Sequence, residues 1–380
     1  MSTNVTRRQF VSSAATVSGA LLGMTSASAS MRVQSAKSPA LAIISCDNSA
    51  IVHRAMDSGA RIVAISDSDP RRLAIMASIV QRRLGSKPEQ FAHLDQIIAS
   101  PRVDGLVFCN DLSLQPSMFL RACATGKDIY FHSPVANDMV TIGKMIGAVR
   151  EHKNIVQTGL WRRNLPNYQR AIRHVRSGAL GDVKTVRVWQ RFSENSEDGT
   201  VDLAPHLLDI AMLAMNSGRP MLLPTVVTGV GEKQGGFNRG SQFAHLRFQQ
   251  PDFDLVWESG PRINEALPSH MHLNCWEQHD GHLDHGVEFV AANGASLVAQ
   301  DENCFLKSTD GDFLDLSSHN HPVEENLIEN WISCIASRKE STSSFQSTAA
   351  SGIVAHLIAA SIESGKTHEW NSSRNAYTTL

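Results

Sequence analysis

The chain has 380 residues, 42% hydrophobic and 19% charged, a composition that excludes a disordered protein and allows two globular domains. Its 35 Lys and Arg nearly balance 37 Asp and Glu for a net charge of -2, and no basic run follows a phosphate backbone, so nucleic acid is excluded as the expected partner. The six cysteines, at 46, 109, 123, 275, 304 and 334, form no C-x-x-C pair and read as small core residues.

The first element is an address. Thr6-Arg7-Arg8-Gln9-Phe10 precedes the mildly apolar stretch Val11 to Met24, and Ser26-Ala27-Ser28-Ala29 offers an A-x-A cleavage pattern. Together they predict a twin-arginine export signal over residues 1–29 and a periplasmic mature protein. A bilayer span needs about 20 apolar residues, which this stretch does not supply, so no membrane span is expected.

From 39 to 157, strand-like and helical runs alternate. Leu41 to Ile44 predicts a strand, Ile51 to Ser58 a helix, Arg61 to Ser66 a strand, and Arg71 to Leu84 a helix. Asp104 to Cys109 and Asp128 to Phe131 continue as strands, with helices over Ser117 to Thr125 and Val140 to Glu151. The apolar runs are continuous rather than alternating, as in strands buried on both faces, so they predict an α/β fold with a Rossmann-type, doubly wound parallel sheet. Ligands of such sheets sit at the carboxyl ends of the strands. Ser45, Asp47, Asn48, Asp67, Asn110, His132 and Ser133 are therefore expected around one crevice.

From 158 to 370 the pattern changes. A helix over Arg170 to Ser177, the alternating strand Val183 to Arg191 and a strong helix over Asp202 to Met215 come first. Alternating runs follow at Thr225 to Gly229, Gln242 to Phe248, Phe253 to Glu258, Met271 to Glu277, Val287 to Ala292 and Ala295 to Gln300, then helical stretches over Glu324 to Ser337 and Thr348 to Ser364. This predicts an α+β second domain with a large, open, mostly antiparallel sheet, serving as a substrate wall or as a subunit interface for a homo-oligomer.

The helix starting at Asp202 carries a polar set. Asp202, His206 and Asp209 share one helical face, where carboxylates would raise the pKa of the imidazole and orient it as a general acid or base. The alternative is a buried structural cluster with Asp202 as N-cap. Between His270 and His285, five histidines lie near Cys275, Glu277, Asp280 and Asp284. A zinc or copper site is conceivable there, but no C-x-x-C or H-E-x-x-H frame is present, and a polar sheet face lining a sugar groove is the expected reading, with no metal.

Several local motifs, in order, resemble the Gfo/Idh/MocA family, the glucose-fructose oxidoreductase and inositol dehydrogenase group. They are Gly126-Lys127-Asp128-Ile129-Tyr130-Phe131 with Pro134, then Gln157-Thr158-Gly159 with Arg163 and Pro166, then Gly178-Ala179-Leu180-Gly181 with Val183, and Asp202-Leu203-Ala204-Pro205-His206-Leu207-Leu208-Asp209. Glu325 to Trp331 and Glu369-Trp370 look like the secreted members. The resemblance implies NAD or NADP on the first domain, near Ser45, Asp47, Asn48, Asp67, Asn110, Ser133 and Arg163. It implies a sugar or polyol on the second domain, with His206, Asp202, Asp209 and His132 as the catalytic candidates.

The chain departs from the family where chemistry would occur. In place of G-x-G-x-x-G it has Ser45 through Ala50, with Asp47 at the second glycine. There the backbone should approach a pyrophosphate, and like charges a few ångströms apart cost on the order of several kcal/mol. Asp67 stands where the ribose-binding acid lies, or serves as a turn residue. His132 and Ser133 replace the Glu and Lys of the family's E-K-P motif; His132 is an acid or base, or a strand-end cap. The expected function is an exported NAD(P)-linked oxidoreductase with a degraded cofactor site. The alternatives are a carbohydrate-binding pseudoenzyme, or a redox-neutral hydrolase or lyase using His206.

Overall fold

Consecutive residues of Leu41-Ala42-Ile43-Ile44 are all buried because they point alternately to two covered faces. Leu41 and Ile43 pack with Ile62, Val52, Met76 and Trp331 on one side, while Ala42 and Ile44 pack with Leu106, Phe108, Phe119 and Met145 on the other. In the computed structural model, which describes residues 38–46, 49–109, 116–131, 139–192, 204–216, 218, 221–231, 242–261, 285–318, 327–371 and 376–380, this strand is β1 (Ala40–Ile44). With β2 (Arg61–Ser66), β3 (Glu89–Phe91), β4 (Gly105–Phe108), β5 (Asp128–Phe131) and β6 (Val156–Thr158) it forms a sheet of order β3-β2-β1-β4-β5-β6. Every pair is parallel, with Leu41 beside Ile62 and Ile43 beside Val107.

Helices α1 (Ser49–Asp57), α2 (Pro70–Leu84), α3 (Leu94–Ile98), α4 (Pro116–Ala124) and α5 (Met139–His152) connect these strands. The start of α2 is set locally: Asp69 accepts the Arg71 N–H and Pro70 occupies the first turn, where its missing N–H costs nothing. A short 3-10 turn, Trp161–Asn164, then leads into α6 (Pro166–Arg176).

Among the described residues the second sheet has ten strands. β7 (Val183–Phe192), β8 (Val226–Gly231), β9 (Gln242–Gln249), β10 (Asp252–Pro261), β11 (His285–Ala291), β12 (Ser296–Ala299), β13 (Cys304–Lys307), β14 (Phe313–Asp315), β15 (His368–Asn371) and β16 (Ala376–Thr379) are ordered β14-β13-β12-β11-β7-β10-β9-β8-β15-β16. All its pairs are antiparallel except β7 with β10. Between α6 and β7, Gly178 and Gly181 adopt φ of +75° and +99°, a left-handed backbone that other residues adopt only under strain. The predicted strand Met271 to Glu277 lies outside the described residues.

One face of this sheet is covered by α7 (Ala204–Met215) and α9 (Phe345–Ser364), while α8 (Leu327–Ser337) returns to the first sheet. The Trp331 indole is fully buried there; it lies against Gly105, where a Cβ would stand 2.9 Å from the ring, and donates to the Ile155 carbonyl at 3.0 Å. Helix α9 is long and apolar enough by composition to cross a membrane, yet it is a core helix. Its Phe345 meets Phe119 of α4 and Phe131 of β5 at ring distances of 5.3 and 5.8 Å, so the cores of the two sheets are continuous. Each fully buried Leu, Ile or Phe here contributes about 1.5–3 kcal/mol.

Candidate functional site

Ligands of doubly wound parallel sheets bind at the carboxyl ends of the strands, here after Ile44, Ser66 and Phe108 of β1, β2 and β4. Ser45, directly after β1, has φ +61°, and its N–H donates to the Ser66 carbonyl at 2.9 Å. The turn thus keeps the left-handed backbone that a glycine adopts freely, in a residue that bears a side chain. Asp47, Asn48, Asn110, His132 and Ser133 lie outside the described residues.

Asp67 is described in full. Its side chain is 1% exposed. Oδ2 accepts the Cys46 N–H at 2.7 Å and Arg72 Nε at 3.1 Å, while Oδ1 accepts the Asp69 N–H at 2.7 Å and an Arg72 terminal nitrogen at 2.9 Å. Burial pushes the acid up, but the Arg72 guanidinium and the two backbone donors outweigh it and hold the carboxyl below its ordinary value. A carboxylate offers about four acceptor positions, and all are taken. Asp67 therefore ties the β1 turn to the start of α2, and nothing remains on it to receive ribose hydroxyls.

The second polar centre is the crossover turn, where three consecutive residues take three different partners. Trp161 lies edge-on to the buried His206 ring at 6.2 Å. Arg162 stacks on Trp161 at 4.5 Å and donates to Asp301 at 3.0 Å. Arg163 donates Nε to Asp209 at 2.7 Å and a second nitrogen to its other oxygen, and it also reaches the Thr342 carbonyl and Ser347 Oγ.

Arg163 and Asp209 have side-chain exposures of 4% and 2% and are each other's counter-ion inside the protein. Burial pushes Asp209 up, and Arg163 opposes that shift. His206 is buried at the amino-terminal end of α7, and Asp202 lies outside the described residues.

Asp301 also accepts from Tyr168 Oη at 3.1 Å and lies 3.2 Å from His285 Nε2. Burial raises this acid, yet His285 and Arg162 hold it well below its ordinary value of 3.8. A carboxyl depressed in the folded state adds stability that is complete above its unfolded pKa and is lost as pH falls through the folded one. Asp301→Asn will therefore lower stability at pH 7 and flatten the acid limb of unfolding that begins as pH approaches 3.8, followed by circular dichroism. An acid limb unchanged in the variant would show that Asp301 titrates as a free group.

A row of polar side chains crosses the helix-facing side of the second sheet at this end. Gln242 pairs with Ser259, Ser259 with Gln190, and Gln190 with His285. Ser259 Oγ and Gln242 Oε1 are buried without a hydrogen-bond partner among the described residues. No group of three or more metal-ligating side chains occurs among the described residues; His270, His272, His279 and His282 lie outside them.

No protein-family model matches the chain. It is similar to an inositol 2-dehydrogenase of Rubrobacter xylanophilus, 31% identical over 134 residues that cover 35% of this chain and 37% of that protein. It is also similar to an uncharacterized oxidoreductase of Bacillus subtilis, 24% identical over 41% of this chain and 47% of that protein. Both matches thus span less than half of the relative's length. Among solved structures, an aldose-aldose oxidoreductase from Caulobacter crescentus complexed with glycerol superposes at TM-score 0.64, covering 88% of this chain and 100% of that one at 16% identity. An oxidoreductase from Agrobacterium radiobacter in complex with NAD+, L-tartaric acid and magnesium superposes at TM-score 0.65, covering 88% and 98% at 15% identity. The fold is that of the Gfo/Idh/MocA oxidoreductases.

On this Gfo/Idh/MocA fold, sequence reasoning located His206 on its helix and Asp67 at its strand end but missed Arg72, Arg162, Tyr168 and Asp301. Asp301 carried a faint signal, as a charge just past a fully buried strand. Arg72, five residues after Asp67 and inside the first turn of α2, carried another.

Proposed function

We propose that this chain is an exported Gfo/Idh/MocA-type protein that binds a sugar- or polyol-like small molecule on its second sheet and holds no tight NAD(P). The observation that carries this is the saturation of Asp67 by Cys46, Asp69 and Arg72, joined by Asp47 in the sequence of the turn. The polar row supports the ligand class. Ser259 Oγ and Gln242 Oε1 are buried groups for which a hydroxylated ligand supplies complementary partners, and a buried polar atom left alone costs about 1–3 kcal/mol. The inositol dehydrogenase relative and the glycerol complex point to the same chemistry. Arg7-Arg8 and the Ser- and Ala-rich stretch behind them support export.

A second reading, an active NAD(P)-linked oxidoreductase, is favoured by the left-handed backbone retained at Ser45 and by the NAD+ complex among the structural neighbours. In a redox-neutral version, His206 acts as acid or base. Assembly of copies through the open face of the second sheet belongs to the first reading. That face carries the ion pairs Arg187–Glu288, Arg191–Glu258 and Arg247–Asp254.

Native mass spectrometry of the purified protein separates the two readings. The first expects a protein lacking residues 1–29, free of dinucleotide, that takes up inositol or an aldose in titration. A stoichiometric NAD(P) adduct would overturn it in favour of the oxidoreductase.

A further inference from the structure

The parallel strands of the first sheet have a second end, opposite the crevice, where β5 and β6 begin. There a cleft of about 530 Å³ opens between the end of α5 and the turn joining α8 to α9, within the roughly 300–1,000 Å³ range of small-molecule sites.

Two buried polar atoms in its lining have no partner among the described residues. Asn154 is 6% exposed; its Nδ2 donates to the Lys127 carbonyl at 2.8 Å and to the Cys123 carbonyl at 3.3 Å. Those two bonds fix which way the amide points. Its Oδ1 is left buried with no partner among the described residues, and so is Oγ of Ser341, which is 7% exposed.

The charge at the cleft is basic. Arg150 and Lys153 line it, and neither forms an ion pair among the described residues. Arg338 is bound to Asp128 and to the Lys153 carbonyl, while Glu340 accepts from Ser344 Oγ. Ser344 is also the N-cap of the 20-residue helix α9, so the positive end of that helix dipole faces the same space. Helix N-termini favour anions, whereas Asn154 Oδ1 is an acceptor that requires a donor.

We propose that this cleft binds a small hydroxylated anion. Its acidic group is drawn to Arg150 and Lys153 near the α9 N-terminus, and its hydroxyls pair with Asn154 Oδ1 and Ser341 Oγ. Sugar acids and sugar phosphates share this chemistry. The site is distinct from the polar row of the second sheet and stands whether or not that row binds a sugar.

The test is calorimetric titration of the full chain at about 50 mM salt, where screening is weak, with gluconate, glucose 6-phosphate, inorganic phosphate and glucose. One hydroxylated anion is expected to saturate; gluconate identifies a carboxylate ligand and glucose 6-phosphate a phosphate ligand. Arg150→Ala is expected to weaken it about tenfold, the effect of one lost charge-assisted hydrogen bond, and Ser341→Ala about fivefold, the effect of one neutral bond, without changing neutral-sugar binding at the second sheet. No heat from either hydroxylated anion would overturn the proposal. Equal affinity in Arg150→Ala would do the same, as would inorganic phosphate binding as tightly as both, since the hydroxyl would then be irrelevant.

Discussion

Titrated with NAD+ or NADP+, the unmodified chain will show no saturable binding below about 1 mM, and Asp47→Gly combined with Arg72→Ala will bind at least about 100-fold tighter. Each substitution removes one obstacle. A carboxylate about 4 Å from a phosphate charge costs about 4 kcal/mol at the effective dielectric of a protein surface, and a hydrogen bond from a ribose hydroxyl to a charged acceptor returns about 1.5–3 kcal/mol. With Arg72 gone, Asp67 keeps the Cys46 and Asp69 N–H bonds at 2.7 Å and regains two acceptor positions. Arg72 is 46% exposed but Asp67 only 1%, so losing the guanidinium costs more than the about 0–1 kcal/mol of an exposed pair, and circular dichroism of the variant checks that it stays folded. Either single variant gains less than the pair: Asp47→Gly alone leaves the ribose unheld, and Arg72→Ala alone leaves the pyrophosphate repelled. Micromolar binding by the unmodified chain would show that Arg72 yields to the cofactor and that the oxidoreductase reading is correct. Failure of the double variant, even with Ser45→Gly added to relax the turn, would place the obstacle in the shape of the crevice.

Asp209→Asn will destabilise the protein by about 3–5 kcal/mol, the range for removing one partner of a buried ion pair. The Arg163 guanidinium, 4% exposed, would stay in the interior beside the Thr342 carbonyl and Ser347 Oγ with no counter-charge. That is a large part of a typical stability of about 5–15 kcal/mol. Replacing both residues, Arg163→Met with Asp209→Leu, will recover more than half of the loss, because two apolar side chains need neither charge nor hydration. Urea unfolding, read as a shift in midpoint at constant slope, gives the comparison. If Asp209→Asn instead unfolds like the unmodified chain while losing sugar binding, the carboxylate belongs to the binding site and its pairing with Arg163 is incidental.

The sequence by itself determined β1, β2, β4 and β5 of the first sheet, because a parallel sheet needs unbroken apolar runs, and LAII, RIVAIS and GLVF are such runs with few competing readings. It also determined most helices to within a few residues and the alternating strands β7, β9 and β10, whose period of two marks one covered and one open face. It did not reveal β3, β6, β13, β14, β15 and β16, since these stretches of three or four residues are too short to show a period and make sense only as additions to an existing sheet. The placement of β10 between β7 and β9, parallel to one and antiparallel to the other, is a matter of long-range pairing that no local pattern encodes. The site divides in the same way. His206 was legible because its motif lies within one helix. Only the tertiary structure decided that Asp209 faces Arg163 across 46 residues of chain, that Asp301 faces Arg162 across 139, and that Asp67 is already occupied. A carboxylate's role depends on which donors surround it and how far water is excluded, and both are properties of the packed protein rather than of the residue.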